Sequence, residues 1–178
     1  MRIAIDLIER ISCAFGRIGA GLILVLILAM SYEVVMRYVF NAPTMWAYEV
    51  AAMLMGTSFL VTIAYAMVTR SHVRVDFLYA RVATRGRAVI DLVGYAGFLL
   101  PVALWMTWAL WSYLAQAYAS GETTGQSAWN PVVWPFRVAY VTGFVLFALQ
   151  IAAEIMRCIL MLRGQEEPPR EGTLDVAG

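Results

Sequence analysis

Residues 18–40 read IGAGLILVLILAMSYEVVMRYVF, and the first charge in the run is delayed to Glu33. A helix that crosses a bilayer needs about 20 mainly apolar residues, which this stretch supplies. It has a basic residue upstream, as a cleaved signal would, but it runs past a short apolar centre into Tyr32 and Phe40. It therefore reads as a membrane helix. Three more apolar runs follow at 44–69, 88–119 and 132–162, the first of these three with its heart at 50–68. The last two exceed the hydrocarbon thickness, so they must tilt or project beyond it. The expected fold is an all-α integral membrane protein, with four transmembrane helices in a single domain over residues 1–163.

Composition points the same way. Hydrophobic residues make up 62% of the chain and charged residues 14%, against about 45–50% and about 25% in soluble domains. The four runs occupy more than half of the 178 residues, which leaves no room for a soluble catalytic domain. A net charge of +1 sets up no field for nucleic acid. All 13 basic residues are arginine, a usage that reflects genome base composition rather than chemistry. Cys13 and Cys158 stand outside any CxxC or Cys/His cluster. They read as small apolar side chains rather than a disulfide or a metal or haem site, and no cofactor is expected.

The arginines set the orientation. Eleven lie in the N-terminal arm, the link after the second run and the C-terminal end; only Arg37 and Arg137 lie on the other side. The positive-inside rule then puts both termini in the cytoplasm. The 41–44 turn and the 120–131 loop face outward.

The links carry further expectations. Asn41-Ala42-Pro43-Thr44 is a tight turn, with asparagine suited to a cap and proline to a helix's first turn, so the first two spans form a hairpin. In the 70–87 link, Val75, Leu78, Tyr79 and Val82 recur at helical spacing among arginines. That pattern suits an amphipathic helix lying in the headgroup layer, and an ordinary basic loop is the alternative. In the outer segment, Gly121, Gly125, Pro131 and Pro135 break regular structure. Trp129 and Trp134 suit the membrane interface, or contact with an extracytoplasmic partner. Residues 164–178, with Pro168 and Pro169, read as a disordered tail.

Charges inside a membrane default to a functional hypothesis. Glu33 and Arg37 share a helix face at four-residue spacing, and Glu49 follows just across the turn. Geometry allows a Glu33–Arg37–Glu49 cluster. A proton or ion path would need further carboxylates deeper in the membrane. None form a ladder there, which favours a neutralised polar clasp within the hairpin or against a partner. Asp91 and Glu154 lie nearer the cytoplasmic ends, where solvent, Arg87 and Arg157 can compensate them. Pro101 predicts a kink in the third span. Ala47, Ala51, Ala52 and Gly56 permit close helix approach in the second. His72 is the only histidine, which excludes a bis-histidine haem within the chain.

Three blocks resemble a known family: Arg37-Tyr-Val-Phe-Asn41-Ala-Pro43, then Trp46-Ala-Tyr-Glu49, then His72-Val-Arg74-Val-Asp76. Their spacing is similar to that of the small membrane subunit (DctQ-like small permease) of tripartite ATP-independent periplasmic (TRAP) transporters. The likeness covers roughly residues 10–163 and is sharpest at 37–76. Trp129-Asn-Pro131-Val-Val-Trp134-Pro135 stands where that family carries a proline-rich turn. The resemblance implies a bacterial inner-membrane scaffold without catalysis. Its partners would be a large multi-span elevator-type permease, a periplasmic solute-binding protein and membrane lipids. The complex would take up organic acids by symport on an ion gradient, usually sodium, with the substrate and ion sites in the large subunit. Arg37, Asn41, Trp46 and Glu49 are then expected to fix the outer end of the hairpin, with Glu33 beside them from the charge spacing above. His72, Arg74 and Asp76 would fix the cytoplasmic turn.

Three other classes compete. A glutathione-transferase-like membrane enzyme needs an arginine- and glutamate-lined cofactor site, which Glu33 and Arg37 allow only faintly. A redox anchor needs a second haem ligand. A small autonomous dimeric transporter would take up solute without another subunit.

Overall fold

The structure is a computed structural model and describes residues 2–69 and 84–164. Its elements are α1 (Arg2–Tyr38), α2 (Ala47–Val68), α3 (Thr84–Gly94), a π-helical turn (Tyr95–Leu99), α4 (Leu100–Ser120) and α5 (Trp134–Leu162). α3, the π turn and α4 form one continuous span. Among the described residues, four helices are long and apolar enough to cross a membrane, as expected. The in-plane helix, His72, Arg74, Asp76 and the tail fall outside the described residues.

α1 begins at Arg2, well before the apolar run. Hydropathy falls there because the helix becomes amphipathic, not because it ends. Ile5, Ser12 and Gly16 are buried on one face, while Arg2, Asp6, Arg10 and Arg17 stand exposed. Ile5 packs in a cluster with Ala153 and Leu160 of α5. A helix of 37 residues is about 55 Å long, nearly twice the roughly 30 Å of hydrocarbon.

The turn between α1 and α2 differs from the expected caps. Asn41 adopts a left-handed φ of 50°, and the Ala42 N–H reaches back to the Met36 carbonyl at 3.0 Å. Asparagine tolerates this conformation, so it stops α1 rather than starting α2. Pro43 precedes Trp46, the N-cap residue of α2, and so lies outside that helix.

Pro101 acts just upstream of itself. Its ring would strike the carbonyl four residues earlier in a regular helix. The chain answers with the π turn, whose wider bond runs from the Leu100 N–H to the Tyr95 carbonyl. Insertion of one residue into the ladder is a recognised way to relieve such a clash.

Glycines let the spans approach. A Cβ at Gly16 would fall 2.5 Å from Tyr65 Cγ, and one at Gly19 would strike Thr62 Oγ1, so α1 crosses α2 there. On the other face of α2, a Cβ at Gly56 would lie 2.8 Å from Tyr140 Oη. One at Gly143 would lie 2.6 Å from the Leu60 carbonyl oxygen. Small residues at crossings are the membrane solution to close packing. Met67, Ala103, Ala148 and Ile151 form the core where α2, α4 and α5 meet. α1 packs on α2 and α5, and the third span packs on α5, with no comparable packing between α1 and the third span. The α2–α5 pair therefore forms the centre, with the other two spans on its flanks. Ser12 of α1 meets Gln150 of α5, which puts the start of α1 and the end of α5 at one end of the molecule. The 39–46 turn and the 121–133 loop share the other, called here the hairpin end.

Candidate functional site

Three polar clusters pin the helix ends. The first is the hairpin turn. Glu33 projects from the last turns of α1 and is 5% exposed. Its Oε1 accepts from Arg37 Nε at 3.0 Å and Nη2 at 2.5 Å. Its Oε2 accepts from the Thr44 backbone N–H at 2.9 Å and from the Thr44 hydroxyl. One carboxylate thus holds the arginine one turn onward and the strand of chain that leads into α2. Both oxygens are satisfied, the condition for burying a charge. Tyr32 stacks on Trp46 with ring centroids 6.0 Å apart, a second link between the helices. Asn41 is exposed at the tip.

Glu49 does not join this cluster, which corrects the expected triad. It is 2% exposed, and neither carboxylate oxygen has a hydrogen-bond partner. The reason is helical phase. Position 49 precedes Gly56 by seven residues, two turns, and so shares the face that meets α5. α1 packs on the opposite face, through Thr62 and Tyr65.

The second cluster closes the 121–133 loop. Gly121, at φ 62°, ends α4. Thr123 and Val132 pair as an isolated antiparallel bridge, and the Val133 N–H donates to the Glu122 carbonyl at 3.1 Å. The Pro131 carbonyl accepts from the Thr124 N–H at 3.1 Å, and Asn130 Oδ1 accepts from the Gly125 N–H at 2.7 Å. Beneath the loop, Arg137 is 7% exposed and makes a bidentate pair with Glu122 at 2.9 and 2.7 Å. Trp134 meets Tyr118 edge to face at 5.7 Å, Pro135 occupies the first turn of α5, and Trp129 is exposed on the loop. Sequence reasoning treated Arg137 only as a residue near a helix end. The available signal was an intramembrane arginine with Glu122 at the far side of the same loop.

The third cluster joins α1 to α5 at the end where those helices begin and finish. Arg157 pairs with Glu9 and lies 3.4 Å from Glu154. One helical turn away, Ser12 Oγ donates to Gln150 Oε1 at 3.1 Å. Arg157 was expected to compensate Glu154. The cross-helix partner Glu9, at a separation of 148 residues, was not foreseen.

Four apolar helices, clasped at both ends by ion pairs and leaving broad apolar flanks, define a multi-pass membrane protein. A family model described as "Tripartite ATP-independent periplasmic transporters, DctQ component" matches residues 26–161. The chain belongs to that family, the small permease component of tripartite transporters that also contain a large permease and a periplasmic binding protein. No curated protein matches the sequence.

Proposed function

We propose that this subunit is a static, non-catalytic scaffold for an elevator-type large permease in a bacterial inner membrane. Both termini face the cytoplasm, so the hairpin end faces the periplasm. The assembled transporter takes up organic acids with a periplasmic binding protein, driven by an ion gradient that is usually sodium. The family match over residues 26–161 carries this reading.

The geometry supports it. A scaffold must not move with the transport domain. Here the hairpin, the outer loop and the α1–α5 junction are each fixed by a buried or half-buried ion pair. Glu33, Arg37, Asn41, Trp46 and Glu49 set the outer hairpin and its contacts, and Trp129, Pro131, Trp134 and Pro135 anchor the outer loop at the interface or against a partner. His72, Arg74 and Asp76 set the cytoplasmic turn. None of these binds the solute. Arg37→Ala or Glu49→Ala should accordingly weaken assembly or uptake without changing which solute is recognised; an altered solute preference would contradict the assignment.

The deciding experiment is a mild-detergent pull-down of the tagged chain from native membranes, with mass spectrometry of what accompanies it. A roughly equimolar large multi-span permease is expected. Self-association alone, in a preparation that stays folded, would overturn the scaffold reading in favour of an autonomous transporter.

A further inference from the structure

The outward face of α1 carries an ordered pattern that its packing inside the subunit does not use. Ala4, Leu7, Ile11, Ala14, Ile18 and Gly21 are all exposed, and they recur at spacings of 3, 4, 3, 4 and 3 residues. The same alternation continues to Tyr32. This is the a/d repeat of a coiled-coil seam. It lies opposite the face that buries Ile5, Ser12, Gly16 and Gly19. Over residues 18–30 such a stripe is unremarkable, because every residue there is apolar. In residues 2–17 it is not. Arg2, Asp6, Glu9, Arg10 and Arg17 occur in that segment, and none of them falls on the seam.

Lipid tails cannot cover this segment. From residue 2 to residue 17 the helix rises about 22 Å, and its charges keep it outside the hydrocarbon. Leu7 is 58% exposed there and Ile3, beside the seam, 85%. An apolar stripe in water calls for a protein partner. Because the stripe runs unbroken into the membrane, the partner element must also cross the membrane and continue past it.

The flanking charges say which chain it comes from. Arg10 and Arg17 are exposed and seven residues apart, both in the position just before an a residue, where coiled coils set partner choice by ion pairing. A second copy would have to lie parallel in the same membrane. It would then present Phe15 and Leu22 to these arginines, with no carboxylate. The small residues Ala4, Ala14 and Gly21 allow close approach, and a Cβ at Gly21 would meet nothing within 4 Å.

We propose that the outward face of α1 is a coiled-coil-type docking seam for one transmembrane helix of the large permease, which continues past the membrane and sets carboxylates against Arg10 and Arg17. This rests on the small-subunit reading above.

The test places a photo-crosslinking phenylalanine analogue at Leu7, Ile11 or Ala14 of the full chain in native membranes. Phe98 and Trp108, exposed on the opposite flank, serve as comparison sites. Adducts with the large permease, identified by mass spectrometry, should form at least tenfold more at the seam. Arg10→Glu with Arg17→Glu should cut the seam adduct about tenfold while leaving the yield of folded subunit unchanged. Adducts only with a second copy, or equal yields from Phe98 and Trp108, would overturn the seam. A silent seam with the permease still recovered in the pull-down removes the seam alone. Absence of the permease from both experiments removes the scaffold reading as well.

Discussion

Arg137 lies over the ring of Tyr113, 3.4 Å from its centroid, and donates to that residue's main-chain carbonyl at 3.0 Å. The guanidinium is thereby held by α4 as well as by Glu122, in an apolar setting where a free arginine would be costly. The two partners differ in solvent access. The side chain of Arg137 is 8% exposed and that of Glu122 is 42% exposed.

That asymmetry predicts an order of damage. Glu122→Gln leaves the buried guanidinium without its counter-charge, whereas Arg137→Met leaves a carboxylate that water can reach. Glu122→Gln should therefore cost more, about 1–3 kcal/mol after discounting the exposed partner. Thermal unfolding of the detergent-solubilised subunit measures both. A larger loss in Arg137→Met would show that the arginine's packing on Tyr113 outweighs the ion pair.

The glycines give a paired comparison. Gly143→Ala forces a methyl against the Leu60 carbonyl, which belongs to backbone and cannot swing aside. Overpacking of this kind costs about 1–3 kcal/mol. Gly21→Ala has open space in the subunit and should leave its stability unchanged. Equal melting temperatures for the two variants would mean that the α2–α5 crossing relaxes freely.

Glu49 should behave unlike a salt-bridged carboxylate. Its oxygens are buried without partners, so a carboxylate there is uncompensated. Glu49→Gln keeps the shape and removes the charge. The isolated variant is expected to be at least as stable as the wild type in the same melting assay. A clear loss of stability would indicate that the carboxylate has a donor in the folded protein.

At the α1–α5 junction, Arg157 serves two carboxylates. Arg157→Ala removes the cation that Glu9 and Glu154 share, whereas Glu9→Ala retains the pair within α5. The arginine variant should lose more stability, by about 1–2 kcal/mol. Limited proteolysis near Arg10 would report the loosened α1 directly. Equal protease sensitivity in the two variants would deny Arg157 its bridging role.

Local spacing along the chain was enough to set the four spans, the hairpin between the first two and the Glu33–Arg37 pair: about 20 apolar residues, a short turn, one helical turn of four. The sequence also held the Arg37-to-Asp76 motifs on which the family likeness rests. The tertiary structure decided what depends on helix phase and on distant partners. It turned Glu49 toward α5 and away from Glu33, and brought Glu9 to Arg157 across most of the chain. It set Arg137 between Tyr113 and Glu122, and extended α1 back to Arg2 because its buried face had α2 and α5 to meet. Hydropathy counts apolar residues along a chain. It carries no information on which side of a helix faces another helix, and that choice placed Glu49, Arg137 and Glu154.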